Sequence, residues 1–118
     1  MMNTMDPVFQ SLGERRLAAV VTIGDSSQAA PLARALLAGG VSAMELTLRT
    51  DAALQGLQRI VAEVPEMMVG AGTILTEAQV GEVMEAGAAF GVAPGTNARI
   101  LQASKEAGLP FAPGIATP

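Results

Sequence analysis

Apolar residues gather into short runs at near-regular intervals along the chain, and amphipathic stretches fill the spaces between them. Residues 17–23 (LAAVVTI) form a continuous apolar run, β-branched towards its end, which suits a strand buried on both faces. Residues 42–48 predict a second strand, 67–71 (MMVGA) a third, 89–93 (AFGVA) a fourth, and 109–112 begin a fifth. Between these runs the apolar positions recur at helical spacing. Ala30, Leu32, Ala33, Leu36 and Leu37 make one stripe, in a helix ending at about Ala38. Leu54, Leu57, Ile60 and Val61 make the next, over residues 52–63, and two further helices run to Ala86 and Ala107. Gly39 and Gly40, Pro65, Gly87 and Gly108 supply the stops. The expected caps are Ser26 or Ser27, Thr50 or Asp51, Thr76 with Gln79 as a capping box, and Thr96 or Asn97. Pro31 is tolerable only in a first turn, so its helix starts later than the serines suggest. Ahead of all this, residues 6–16 read as a leading helix with Asp6 as N-cap and Pro7 at the first position, ended or weakened by Gly13.

Strand centres near residues 20, 45, 69, 91 and 111, with one helix in each gap, describe repeated βα units and hence a parallel sheet. A (β/α)8 barrel and an open doubly wound sheet both fit that pattern. Polar residues collect at the C-terminal ends of the strands: Glu45 and Arg49, then Thr73, then Thr96 after Pro94 and Gly95. Both architectures build their sites at that end. Residues 41–50 (VSAMELTLRT) are the most telling stretch. Strand alternation sends Met44, Leu46 and Leu48 one way and Ala43, Glu45, Thr47 and Arg49 the other, which sets an acid, a hydroxyl and a guanidinium on one face. Charged groups are costly on a strand interior unless they are paired. An ordinary exposed ion pair is the plain alternative for Glu45 and Arg49, and a turn residue the plain alternative for Thr73.

Composition narrows the chemistry. The chain has 118 residues, enough for one domain, and contains no Cys, His, Trp or Tyr and only three Phe. Disulfides, thiol nucleophiles and zinc–cysteine sites are excluded, as is histidine proton transfer. The eleven acids show no tight cluster that would suggest a metal site. A net charge of −4 leaves no basic footprint for nucleic acid. The first sixteen residues lack the pattern of a signal peptide, and no apolar run reaches the roughly 18 residues of a membrane span. A soluble, cytoplasmic protein is the expectation. Gly70-Ala71-Gly72 opens a dinucleotide fingerprint that fails, because Leu75 holds its last glycine position.

The segments ARALLAGGVSAMELTLRT, EVPEMMVGAGTILTEAQ, EAGAAFGVAPG and LPFAPGIATP, in this order and spacing, resemble the family of 2-keto-3-deoxy-6-phosphogluconate and 4-hydroxy-2-oxoglutarate aldolases. The resemblance covers about residues 20–117. It implies a class I, Schiff-base enzyme on a (β/α)8 barrel, a homotrimer, with residues 1–118 as one domain supplying about the first five βα units. It places Glu45 at the family's proton-transfer carboxylate and Arg49 where the carboxylate of the 2-keto acid binds. Thr73 matches a residue at the same substrate end, and Pro94 matches a strand-end turn that shapes the pocket. The Schiff-base lysine is expected beyond Pro118, since Lys105, the single lysine, matches no catalytic position. The alternative reading is a catalytically inactive partial barrel that works by self-assembly or with a complementing partner. Other phosphate-binding barrels share the fold but do not predict a strand bearing E-x-T-x-R.

Overall fold

The computed structural model describes residues 6–116. The start of the stretch tested for a signal peptide, and the last two residues of LPFAPGIATP, lie outside the described residues. Five strands, β1 (Ala19–Val21), β2 (Ala43–Thr47), β3 (Met68–Gly72), β4 (Gly91–Val92) and β5 (Phe111–Ala112), form one parallel sheet in the order β1-β2-β3-β4-β5. Five helices accompany them: α1 (Pro7–Arg15), α2 (Ala29–Ala38), α3 (Ala53–Glu63), α4 (Glu77–Ala86) and α5 (Ala98–Ala107). The order decides between the two architectures. A doubly wound sheet reverses direction at a switch point and carries helices on both faces. Here every strand lies beside the next in sequence, and α2, α3, α4 and α5 pack each on its neighbour. This is the wall of a (β/α)8 barrel, of which the described residues supply five strands and the helices that follow the first four.

One face of the sheet meets the helices. Met44, Leu46, Val69 and Ala71 share a single buried cluster with Ala33 of α2, Leu57 and Ile60 of α3, and Val80 and Val83 of α4. Strand alternation then turns Ala43, Glu45 and Thr47, with Gly70 and Gly72, to the inner face. Helix α1 closes the N-terminal end of the sheet. Its Asp6 cap accepts a hydrogen bond from the Val8 amide at 2.8 Å, and its Arg15 guanidinium donates to the Ser42 carbonyl and hydroxyl at 3.2 and 2.8 Å. Phe9 packs on Phe90 with ring centroids 6.4 Å apart, and Phe90 in turn covers the bare backbone of Gly70. The helix runs through Gly13, which does not end it, and is capped by Arg16 in the left-handed region, where the stretch read as helical stops.

Several caps differ from those expected. Asp25, not Ser26 or Ser27, caps a single 3₁₀ turn, Ser26–Gln28, by accepting from the Ser27 amide at 2.8 Å. Helix α2 follows that turn, which leaves Pro31 in its first turn, where a missing N–H costs nothing. Neither Thr50 nor Asp51 caps α3, whose N-cap position is Ala52. The Thr50 hydroxyl instead donates to the Ile23 carbonyl at 2.6 Å and ties the end of β1 to the turn after β2. The capping box of Thr76 and Gln79 forms as read, and Asn97 caps α5. β1 is the largest departure. It was expected to be buried on both faces, yet Val20 is 67% exposed, because the inner face of this edge strand has no opposing wall among the described residues.

Leu57 is fully buried beneath β2 and β3 in the cluster that fixes the sheet on its helices. Leu57→Ala should destabilise the fold by about 2–5 kcal/mol, the cost of an unfilled core site. The measurement is the urea midpoint, expected to fall with no change in the slope of the transition.

Candidate active site

Glu45 sits in mid-strand on β2, opposite Gly70 of β3, with Thr47 opposite Gly72. Its side chain leans along the strand towards the C-terminal end and lies on the backbone of Gly72. A Cβ added at Gly72 would fall on the carboxyl group, 2.5 Å from Cδ. The glycine therefore makes the space that the acid occupies. The carboxyl is half-buried, and loss of water raises its pKa above the usual glutamate value, with the positive charge of Arg49 pulling partly the other way.

Arg49 lies past the end of the strand, exposed, in the turn between β2 and α3. The sequence reading had continued the strand alternation through it. The Leu48 amide donates to the Gly72 carbonyl at 2.8 Å as the last rung of the β2–β3 ladder, and the chain turns at Leu48 and Arg49. The guanidinium still acts on Glu45 through its charge, but the two form no ion pair within 4.0 Å. The ion pair among the described residues joins Arg34 and Glu63 instead.

Thr73 follows the last residue of β3 with φ +61°. A β-branched residue in the left-handed region carries about 1–3 kcal/mol of backbone strain. Backbone bonds on both sides hold it there: the Gly72 carbonyl accepts from Leu48, and the Ile74 amide donates to the Val92 carbonyl at 3.2 Å. Thr73 is half-buried at the strand end beside Gly72, against which Glu45 rests.

Pro94 is placed differently. It is exposed on the turn after β4 and borders a cavity of about 240 Å³ with Ile74, Leu75, Ile100 and Phe111 among its walls. Glu45, Arg49 and Thr73 do not line that cavity. The turn is well fixed, since the Thr96 hydroxyl donates to the Gly114 carbonyl at 2.6 Å and Gly114 packs on the Pro94 carbonyl. Lys105 lies on the last turn of α5, exposed, beside a cavity shared with Asp6, Phe9 and Pro110 at the N-terminal end of the sheet. It is at the wrong end of the strands to reach Glu45.

Two features went unread in the sequence. One is the fit of Glu45 on Gly72. The other is a hydrogen bond of 2.7 Å between the hydroxyls of Thr22 and Thr47, which links β1 to β2 on the inner face. Strand alternation alone puts Thr47 on the face of Glu45. Thr22 gave no signal, because its partner is twenty-five positions away and is fixed only by strand register.

A parallel βα wall with an acid on its inner face and an arginine just past the end of the same strand matches the end at which a (β/α)8 barrel builds its site. The comparisons with known proteins specify the class. The sequence profile of the KDPG and KHG aldolase family matches residues 8–118, and the chain belongs to that family. It is 46% identical over 98 residues to the KHG/KDPG aldolase of Escherichia coli K12, covering 83% of this chain and 46% of the relative. It is 45% identical over 98 residues to the 2-dehydro-3-deoxy-phosphogluconate aldolase of Dickeya dadantii, with the same coverage of 83% and 46%. Among solved structures, the 2-keto-3-deoxy-6-phosphogluconate aldolase of Zymomonas mobilis ZM4 superposes with a TM-score of 0.89 at 35% identity, over 98% of this chain and 55% of that one. The KDPG aldolase of Legionella pneumophila, solved with pyruvate captured as a covalent carbinolamine, gives 0.81 at 38% identity, over 85% and 48%. The chain spans about half the length of the curated relatives it matches.

The raised pKa of Glu45 has a consequence for stability. A carboxyl whose folded pKa exceeds its unfolded value binds its proton more tightly when folded, so stability falls as pH rises from the ordinary glutamate range through the raised value. Glu45→Gln removes that loss. The variant should unfold at a higher urea concentration than the parent at pH 7, and the difference should shrink towards pH 4.

Proposed function

We propose that the protein carrying this chain is a class I aldolase that cleaves 2-keto-3-deoxy-6-phosphogluconate, 4-hydroxy-2-oxoglutarate, or both, to pyruvate and an aldehyde. The single observation that carries this reading is the half-buried Glu45, seated on Gly72 with its pKa raised, within the electrostatic reach of Arg49, which forms no ion pair among the described residues. In this reading Arg49 grips the keto-acid carboxylate, for which a planar guanidinium offers paired donors. Thr73 helps hold the same substrate end, and Pro94 shapes the neighbouring turn. The Schiff-base lysine lies beyond Pro118. Its amine condenses with the ketone and expels water, giving a protonated imine as electron sink. Glu45 takes the proton of the C4 hydroxyl as the C3–C4 bond breaks and the aldehyde leaves. It then returns a proton to C3 of the enamine, and water releases pyruvate from the imine. A carboxyl with a raised pKa suits a group that must both accept and donate near neutral pH. The protein acts in the cytoplasm as a homotrimer, with neither metal nor organic cofactor in the reaction.

Borohydride reduction in the presence of pyruvate should trap a covalent adduct, read as a mass increase of the intact protein. Arg49→Ala should raise the KM for the keto acid at least about tenfold, the scale of losing a charge-assisted hydrogen bond. Unchanged KM and turnover in that variant would remove Arg49 from the site. A second reading, a non-catalytic partial barrel that self-assembles or joins a complementing partner, draws on the exposed Val20 of the edge strand β1. It requires that no pyruvate adduct forms and that the protein runs well above its formal mass in size measurements.

A further inference from the structure

We infer that Thr22 is a specificity-determining residue, its hydroxyl donating a hydrogen bond to an oxygen on the hydroxylated tail of the bound keto acid. This rests on the aldolase reading above. The direction of the Thr22–Thr47 hydrogen bond follows from burial. Thr47 is 1% exposed, and among the described residues its hydroxyl has only Thr22 as partner. Were Thr22 the donor, the Thr47 proton would be left buried and unpaired, which is costly. Thr47 therefore donates and Thr22 accepts. Thr22 is itself exposed, so its own proton is left free to point outward. Accepting one hydrogen bond also makes that hydroxyl a better donor.

Its position sets what it can meet. Register pairs Val20 with Glu45, so Thr22 stands level with Thr47, one strand over from Glu45 and two residues nearer the C-terminal end. Strand spacing and rise put the Thr22 and Glu45 backbones about 8 Å apart, room for part of a small acyclic substrate. The sheet order places β1 on the opposite side of β2 from β3. Thr73 follows β3 and Arg49 follows β2. With the substrate carboxylate held at the ends of β2 and β3 by Arg49 and Thr73, the part beyond the breaking bond extends towards β1 and Thr22. That part carries hydroxyl oxygens, which accept from a threonine O–H.

The test compares two reactions of the full protein. Pyruvate methyl-proton exchange in heavy water needs the imine and the proton-transfer group but no tail. Cleavage of 2-keto-3-deoxy-6-phosphogluconate needs the tail as well. Thr22→Val should raise the KM for cleavage about five- to tenfold while exchange stays within about twofold of the parent, and Thr22→Ser should restore the parental KM. Because Thr22→Val leaves the Thr47 proton unpaired, the double variant Thr22→Val/Thr47→Val, which removes both hydroxyls, is measured alongside and should show the same change in KM. Unchanged KM in both variants overturns the inference. So does an equal fall in exchange and cleavage, which would make the hydroxyl pair a purely structural tie. Absence of exchange in the parent overturns the aldolase reading itself, and this inference with it.

Discussion

Everything at the C-terminal end of this sheet depends on the missing side chain at Gly72. The Glu45 carboxyl occupies the volume that a Cβ there would fill. Any other residue would push the acid off the strand surface, out into water, and its raised pKa would be lost with its burial. Gly70 does the same service one step earlier, where Phe90 lies flat against the backbone and meets Phe9 of α1. Alternate glycines on one strand thus admit a chemical group at one end and a hydrophobic seal at the other.

That arrangement needs β2 and β3 to be held without slack. Their outer faces supply the grip through Met44, Leu46, Val69 and Ala71, which are packed into α2, α3 and α4. A one-residue slip in a parallel pair would exchange the inner and outer sets and bury Glu45 among aliphatic side chains. The strained backbone at Thr73 belongs to the same design. The bonds from Leu48 and to Val92 on either side of it bind the strand ends together and leave the threonine no relaxed alternative. The cost of that strain is met by the core beneath.

Much of this was legible from spacing alone. Period-two alternation from Ala43 to Thr47, helical stripes ended by glycine, and the Thr76–Gln79 capping box are local signals, and each formed as read. Glu45 stood out because an acid in mid-strand is expensive. The readings that failed were those where distant parts of the chain compete for the same group. Thr50 could have capped α3, but the Ile23 carbonyl took its hydroxyl. Arg49 continues the period-two alternation on paper, but the β2–β3 ladder ends at the Leu48 amide and the chain turns there. β1 has the composition of a buried strand, but burial needs a second wall, and Val20 has none among the described residues.

The sequence by itself determined the repeating βα unit, the parallel sheet, the kinship with the aldolases and the identity of the acid on β2. These rest on periodicity and on residue types, which act over a few positions. Only the tertiary structure decided that the sheet runs in sequential order instead of doubling back. It alone also decided that Gly72 is the seat of the acid, and that Thr22 and Thr47 share a proton across two strands. Those outcomes depend on strand register, which is set by packing of residues far apart in the chain and leaves no trace in local composition.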